Sequence, residues 1–180
     1  MIFKKLGLND VFVVDLNKIE DERGFFSRYY CKDEFKTHNL ETQWVQMNTT
    51  FTKNKGTVRG LHFQREPMLE AKTVRCFRGS IWDVIVDLRK DSSTFKKWLA
   101  IELNETNRSM LYVPKGFAHG FQTLQNNCEL LYMHSEFYSP QYEGGIRFDD
   151  PELNINWPLP IEFVSNRDSN HPQLNEITPL

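Results

Sequence analysis

The sequence predicts an all-β protein with a single domain over residues 1–180, and two observations support this prediction. Short segments rich in β-branched and aromatic residues recur along the chain, and turn-forming clusters of Gly, Asn, Asp and Ser lie between many of them. The chain also lacks internal repeats, low-complexity tracts and linkers. Many short strands in a chain of this length are typical of a sandwich, a jelly roll or a barrel.

Each predicted element follows from a run of apolar residues that ends at turn-forming residues. One segment, Lys32–His38, has a helical pattern. The predicted strands are Val11–Leu16, Gly24–Tyr30, Trp44–Phe51, Lys72–Phe77, Ser80–Leu88, Trp98–Leu103, Met110–Val113, Gly120–Leu124 and Leu130–His134.

The composition excludes several classes of protein. Hydrophobic residues make up 39% of the chain, which is enough for a folded core. The net charge is −2 with both signs interspersed, which argues against nucleic acid as a partner. No signal peptide and no segment long enough to cross a membrane is visible, so we expect a cytoplasmic protein with no membrane partner. The three dispersed cysteines predict neither a disulfide framework nor a zinc pair.

The strand Ser80–Leu88 has two different faces, because alternate side chains point to opposite sides of a strand. The apolar face suits packing against a sheet or against a second copy of the chain. The mixed face suits either a wet cavity or a solvated outer surface, and the strand alone leaves both open. The apolar face holds Trp82, Val84, Val86 and Leu88, and the mixed face holds Ile81, Asp83, Ile85 and Asp87.

The stretch from Gly56 to Gly79 gathers several cations around one histidine. Such a combination suits an anionic ligand together with proton transfer. A lone histidine in a strand is more often structural, but these neighbours favour a functional role for His62. The polar residues of the stretch include Arg59, His62, Gln64, Lys72, Arg75 and Arg78.

A second segment, VPKGFAHGF at Val113–Phe121, matches the P-x-G-x-x-H part of a cupin motif and places a histidine at His119. A metal-binding cupin would also supply H-x-H and a downstream glutamate from its first motif. Here the first motif offers His62 alone. The sequence therefore predicts an all-β, cupin-like jelly-roll barrel with a few short peripheral helices and no bound metal.

Two later segments contribute a tyrosine and a carboxylate. Tyr132 shares a strand face with His134, and a tyrosine in a polar cavity can donate a proton, although a buried structural tyrosine is the commoner case. Asp168 follows Arg167, and carboxylates often orient a catalytic histidine, but its partner stays open at this point. We expect one cavity between two sheets to hold His62, Lys72, His119 and Tyr132.

These segments together resemble the dTDP-4-dehydrorhamnose 3,5-epimerase family, from about Asp21 to Asp168. The resemblance implies a cofactor-independent isomerase that inverts C3, C5 or both in a nucleotide-diphosphate-linked 4-keto-6-deoxyhexose. It also implies a homodimer whose pockets are completed across the interface. The matching pieces are DERGFF (Asp21–Phe26), the Gln46/Asn48 pair, GTVRGLHFQ (Gly56–Gln64), EAKTVRCFRGSIWDVIVDLR (Glu70–Arg89), LYVPKGFAHGFQTL (Leu111–Leu124), LLYMHSEFYSP (Leu130–Pro140), DDPELNINWP (Asp149–Pro158) and SNRD (Ser165–Asp168).

The resemblance further implies a role for each matching residue. His62 would remove a proton beside the C4 ketone, and Asp168 would hold and polarise His62. Lys72 would stabilise the enolate oxygen, and Tyr132 would return a proton from the opposite face. The sugar pocket would be lined by Arg59 and His119. The nucleotide and its diphosphate would be bound by Arg23, Phe26, Gln46, Asn48, Tyr138 and Arg167.

Four positions depart from the common family pattern. Met133 follows Tyr132 where a lysine is common, and Thr49–Thr50 replace a more usual serine pattern. Arg28 stands where many members have a glutamate close to the base. Because a guanidinium only donates and cytosine offers two acceptors, Arg28 would favour a CDP-linked sugar as substrate. If Arg28 turns outward or holds a phosphate, the nucleotide is dTDP, and the family pattern favours this second interpretation.

Three rival functions stay open on the sequence. A metal-dependent cupin enzyme would need further ligands, for which the sequence shows no clear candidates. A non-catalytic sugar-binding jelly roll would not need His62, Lys72, Tyr132 and Asp168 together. A 3,4-ketoisomerase on the same barrel would differ in the carbon that exchanges hydrogen.

Overall fold

The structure, a computed structural model that describes residues 1–180, is nearly all β, and the predicted fold class is confirmed. No helix has the length and hydropathy of a membrane span. In chain order the elements are β1 (Ile2–Lys5), β2 (Phe12–Asp15), β3 (Lys18–Asp21), β4 (Gly24–Ser27), α1 (Lys32–Thr37), β5 (Gln46–Thr52), β6 (Val58–Gln64), β7 (Lys72–Arg78), β8 (Ser80–Asp87), β9 (Trp98–Asn104), β10 (Met110–Val113), β11 (Phe117–Thr123), β12 (Cys128–His134), β13 (Glu143–Gly145), α2 (Asn166–Ser169) and a 3₁₀ turn at Leu174–Glu176.

Two antiparallel sheets enclose the interior. The six-stranded sheet has the order β1-β2-β10-β7-β12-β5, and the five-stranded sheet has the order β13-β6-β11-β8-β9. One apolar cluster draws on both sheets, with Val74 and Leu111 from the first and Ile85 and Phe121 from the second. Strands β3 and β4 form a separate two-stranded ribbon. The two sheets therefore pack face to face, as in a jelly roll.

The outer faces of the two sheets are covered by different parts of the chain. On the five-stranded sheet, Val84 and Val86 are fully buried against Leu153 and Leu174 of the C-terminal segment. On the six-stranded sheet, helix α1 inserts Phe35 into a third cluster. Each covering segment removes apolar surface from water and so stabilises the sheet beneath it.

The structure decides between the two interpretations of strand β8. The mixed face points into the barrel, where Ile81 and Asp83 have no exposed surface, so a solvated outer surface is wrong for this face. The apolar face packs against the chain's own C-terminal segment rather than being left for a second copy. This strand face therefore gives no reason to expect a dimer, because residues far along the chain already cover it.

Four strands, β1, β3, β6 and β13, were not among the predicted elements. The most consequential is β6, whose alternation is broken at Gly60, where the register with β11 shifts. Gly60 has φ of +111°, and a Cβ there would lie 2.6 Å from the Cα of Gly120 on β11. The close approach therefore requires glycine. As a result Arg59 and His62, three residues apart, line the same cavity.

Candidate active site

A polar cavity of about 230 Å³ lies between the two sheets. The four side chains expected in one cavity, those of His62, Lys72, His119 and Tyr132, all line it. Strands β6 and β11 supply the histidines from the five-stranded sheet, and β7 and β12 supply the lysine and the tyrosine from the six-stranded sheet. Each sheet thus contributes ionisable side chains to one wall of the cavity.

His62 and Asp168 form the first histidine–carboxylate pair of the cavity. The Nε2 of His62 lies 2.8 Å from Oδ1 of Asp168, although the residues are 106 positions apart. The amide of Gly60, which the bend in β6 leaves free, donates to Oδ2 of Asp168 at 3.0 Å. Burial raises the pKa of Asp168, but the hydrogen bonds from His62 and Gly60 outweigh it and hold that pKa below its usual range. An ionised Asp168 fixes a proton on Nε2 and leaves Nδ1 of His62 as the acceptor.

His119 and Asp83 form a second pair deeper in the barrel. Nε2 of His119 lies 2.7 Å from Oδ1 of Asp83, and both side chains are buried. Oδ2 of Asp83 has no hydrogen-bond partner. In contrast, the His62 side chain is 32% exposed. Of the two histidines, His62 is therefore the one that an incoming molecule can reach more readily.

Tyr132 lies on the opposite wall with its ring 6.1 Å from that of His119. Burial, followed by the negative charge of Asp83, raises the pKa of Tyr132 above its usual value. The phenol therefore keeps its proton at neutral pH and can act as a donor.

Glu70 contacts both Lys72 and His134 on this wall, and the sequence analysis did not single it out. Its Oε1 lies 2.8 Å from Nζ of Lys72, and its Oε2 lies 2.7 Å from Nδ1 of His134. Burial raises the pKa of Glu70, but the charge of Lys72 and the His134 contact outweigh burial and lower it to about 2. Lys72 is thereby held in place with donors to spare for an oxygen in the cavity.

The expected nucleotide-binding residues separate into two groups. Gln46, Asn48 and Tyr138 line the cavity, and Arg167 pairs with Glu143, which also lines it. Arg23, Phe26 and Arg28 lie elsewhere.

The second group is exposed on or next to the β3–β4 ribbon. Phe26 is 73% exposed, Arg23 pairs with Asp21, and Arg28 donates to Oε1 of Glu34 at 2.7 Å. None of the three lines the cavity of its own chain.

Two cations of the first dense segment also lie outside the cavity. Arg75 points to the outer face of the six-stranded sheet, with its guanidinium about 5 Å from the rings of Tyr29 and Phe77. Arg78 is exposed near Glu129. Strand alternation accounts for Arg75, since Lys72, Val74 and Cys76 occupy the inner positions of β7. Arg78 lies at the end of the strand, where the register with β12 is irregular.

His171 completes the neighbourhood of the first pair, and sequence reasoning missed it. Its Nε2 lies 3.7 Å from Oδ1 of Asp168, and its ring centroid lies 5.5 Å from that of His62. Burial, and then the proximity of His62, lowers the pKa of His171. His62, Asp168 and His171 thus form a group of potential metal ligands that the sequence analysis did not find. The only sequence signal was a histidine three residues after the aspartate.

Comparison with known proteins yields a consistent result. A family profile described as dTDP-4-dehydrorhamnose 3,5-epimerase matches residues 5–176. The dTDP-4-dehydrorhamnose 3,5-epimerase of Sinorhizobium fredii is 40% identical over 178 residues, which cover 98% of this chain and 91% of that protein.

Solved structures agree with this match. The Bacillus anthracis dTDP-4-dehydrorhamnose 3,5-epimerase, solved with TDP and pyrophosphate, has a TM-score of 0.93 at 39% identity and covers 96% of this chain and 99% of its own. A 3'-monoepimerase from Streptomyces bikiniensis in complex with dTDP-quinovose has a TM-score of 0.87 at 29% identity and covers 94% and 86%.

Proposed function

Since this chain belongs to the dTDP-4-dehydrorhamnose 3,5-epimerase family, a family of isomerases, we propose that it inverts C3 and C5 of a dTDP-linked 4-keto-6-deoxyhexose. One observation supports this most strongly: His62, which is paired with Asp168, and Tyr132 belong to opposite sheets and line one cavity. Inversion of a carbon needs a proton acceptor on one face and a donor on the other, and this arrangement supplies both.

The proposed base is Nδ1 of His62. Asp168 accepts a hydrogen bond from the Nε2–H of His62 and so keeps the lone pair on Nδ1, the nitrogen that no protein group occupies. When Nδ1 takes a proton from C3 or C5, the ionised Asp168 stabilises the imidazolium that forms. General-base catalysis of this kind typically contributes about 100- to 10,000-fold to the rate.

Lys72 is the proposed partner of the oxygen at C4. A C–H bond beside a ketone loses its proton only if the resulting negative charge moves to that oxygen. A preorganised cation in a cavity between two sheets stabilises the charge where it develops. Glu70 orients Lys72 through the 2.8 Å ion pair.

Tyr132 is the proposed acid. Its hydroxyl holds a proton at neutral pH and belongs to the sheet opposite His62, so it returns a proton to the other face of the enolate. Both C3 and C5 flank C4, and one pair of groups serves both carbons if the ring reorients between the two steps.

We propose that the nucleotide of the substrate carries thymine rather than cytosine as its base. The argument for CDP required Arg28 to face the base, but Arg28 is turned onto Glu34 at the surface. The Bacillus anthracis relative was solved with TDP bound. Titration with dTDP and with CDP tests this point: tighter CDP binding that is lost in Arg28→Glu contradicts it.

We also propose a homodimer in which the β3–β4 ribbon reaches a second copy. Arg23 and Phe26 are exposed on that ribbon. The outer face of β5 and β7 exposes three further large side chains, those of Met47, Phe51 and Phe77. A partner covering this face would bury them. Sedimentation at micromolar concentration is expected to give a dimer, and a monomer contradicts this proposal.

The reaction itself is tested in heavy water. Incubation with dTDP-4-keto-6-deoxyglucose, followed by NMR, is expected to show deuterium at both C3 and C5 together with the inverted product. Deuterium at C3 alone identifies a monoepimerase, as in the Streptomyces bikiniensis relative. Movement of the ketone from C4 to C3 identifies a ketoisomerase, and no exchange at either carbon overturns the proposal.

A further inference from the structure

We propose that His62, Asp168 and His171 form a binding site for a divalent transition metal such as Zn²⁺, and that its occupation switches off the proton transfer. Two imidazole nitrogens and a carboxylate oxygen are a ligand set that zinc commonly takes in proteins. All three ligand atoms lie within 4.8 Å of one another. The inhibitory part of this inference rests on the proposed function, whereas the binding part does not.

The distances suit a shared ion. Ligands of a tetrahedral zinc at about 2.0–2.1 Å lie about 3.3 Å from one another. Oδ1 of Asp168 lies 2.8 Å from Nε2 of His62 and 3.7 Å from Nε2 of His171. The first separation is shorter than the required value and the second is longer, and no pair of ligand atoms is more than 4.8 Å apart, so the side chains have to rotate to surround one ion.

His171 has no role that the proposed reaction requires. Its Nε2 is buried without a hydrogen-bond partner, although buried polar atoms are normally paired. It lies just beyond hydrogen-bond distance from a carboxylate that already accepts from His62 and Gly60. A metal ion would give this nitrogen a partner.

An ion also has a path to the site. A second cavity, of about 520 Å³, is lined by His62 and Asp168 and by Ser165 and Arg167. Two arginines also line this cavity. The charge of Arg167 is balanced by Glu143, and the guanidinium of Arg59 is turned onto Thr52 and the carbonyl of Phe51.

Metal binding would remove the base by moving a proton. In the metal-free protein Nε2 of His62 holds the proton and Nδ1 holds the lone pair. Coordination through Nε2 releases that proton to solvent. The imidazole stays neutral by taking up a proton from solvent on Nδ1. Nδ1 becomes a donor and no longer accepts a proton from the sugar. The net charge of the ring is unchanged.

The experiment compares zinc binding and solvent exchange in the wild type, His171→Ala and His38→Ala. His38 is an exposed histidine stacked on Phe3, away from the cavity, and serves as the matched control. Each protein also carries Cys31→Ser, because the partly exposed thiol of Cys31 is itself a potential zinc ligand. Zinc affinity is measured without substrate by competition with a chromophoric chelator, and activity by deuterium uptake with and without ZnCl₂.

We expect the wild type and His38→Ala to bind one zinc per chain, lose exchange as zinc is added and recover it with EDTA. His171→Ala should keep its metal-free activity but bind zinc at least about tenfold more weakly. Equal zinc affinity in His171→Ala, or bound zinc that leaves exchange unchanged, overturns the inference.

If His171→Ala unfolds, His171→Gln, which keeps a polar side chain of similar reach, replaces it. A protein that binds zinc through His171 but shows no exchange when metal-free contradicts the epimerase proposal and not the metal site.

Discussion

The five-stranded wall of the cavity carries His62 and His119, and the six-stranded wall carries Lys72, Tyr132 and His134. On the first wall each histidine has an aspartate of its own. On the second wall a single carboxylate, Glu70, contacts both Lys72 and His134, and Tyr132 lies beside them. On the first wall each histidine is therefore oriented by its own carboxylate. On the second wall the shared carboxylate holds Lys72 and His134 in one fixed unit.

This difference assigns opposite tasks to the walls. The first wall offers a partly exposed ring nitrogen that can gain a proton and lose it again. The second wall offers a phenol that burial keeps protonated, next to a cation whose charge is held by an ion pair. The lesson is that the surroundings of each group, more than its type, separate the proposed acceptor from the proposed donor.

The largest expected effect concerns the first wall. His62→Ala should abolish deuterium uptake at both C3 and C5, because one base must start each inversion, with a loss of up to about 10,000-fold. NMR in heavy water measures it. His38→Ala, which removes an exposed histidine, should exchange like the wild type. Near-normal exchange in His62→Ala would remove the base from this wall.

The next effect concerns the second wall. Tyr132→Phe should lower the rate of inversion by about 100-fold or more while deuterium still enters from the His62 side, since a donor is lost and the base is kept. Comparing the rates of exchange and of product formation separates the two steps. Tyr30→Phe, which removes a hydroxyl bonded to the carbonyl of Thr42 outside the cavity, is the control. A fully active Tyr132→Phe protein would show that another group or water supplies the proton.

The third effect concerns the stability of the second wall. The pKa of Glu70 falls from 4.5 to about 2 on folding, so the ionised form stabilises the folded state by on the order of 3 kcal/mol above pH 4.5. This stabilisation is lost as the pH falls from 4.5 through 2, because in that range the unfolded state takes up a proton while the folded state still holds Glu70 ionised. Urea unfolding of wild type and Glu70→Gln should therefore show a difference at pH 7 that shrinks across this range.

Glu129→Gln, at an exposed position, is the control for that series, with little change expected at any pH. A wild-type advantage over Glu70→Gln that is the same at pH 3 and pH 7 would show that the Glu70 charge is not what stabilises this wall.

The smallest effect returns to the first wall. Asp168→Asn should reduce exchange by about 100-fold, less than His62→Ala, because the base is still present but its tautomer is no longer fixed. The pH profile of exchange should also change, since the imidazolium loses its counter-charge. Asp91→Asn, at an exposed turn, is the control. Unchanged rates and an unchanged pH profile in Asp168→Asn would show that the pair is structural.

The pattern of the chain was enough to predict the strands that alternate regularly. Met110–Val113 was predicted with its observed bounds, and Ser80–Leu88 and Trp98–Leu103 differ from β8 and β9 by one residue. Strand β6 was missed because Gly60 interrupts the alternation. The same glycine should have been a signal, since an isolated glycine in a strand often marks a bulge or a close backbone approach.

The sequence by itself determined which chemical groups are present and which of them share a strand face, because alternation within a strand is local. Tyr132 and His134 were placed on one face in this way, and both line the cavity. The inward direction of Asp83 was decided by the tertiary structure, since either face of β8 was compatible with the pattern. The meeting of Asp168 with His62 across 106 positions, and the arrival of His171 beside them, likewise depended on the C-terminal segment folding back onto β6. Contacts of this kind are set by the packing of whole sheets and segments, which no local pattern specifies.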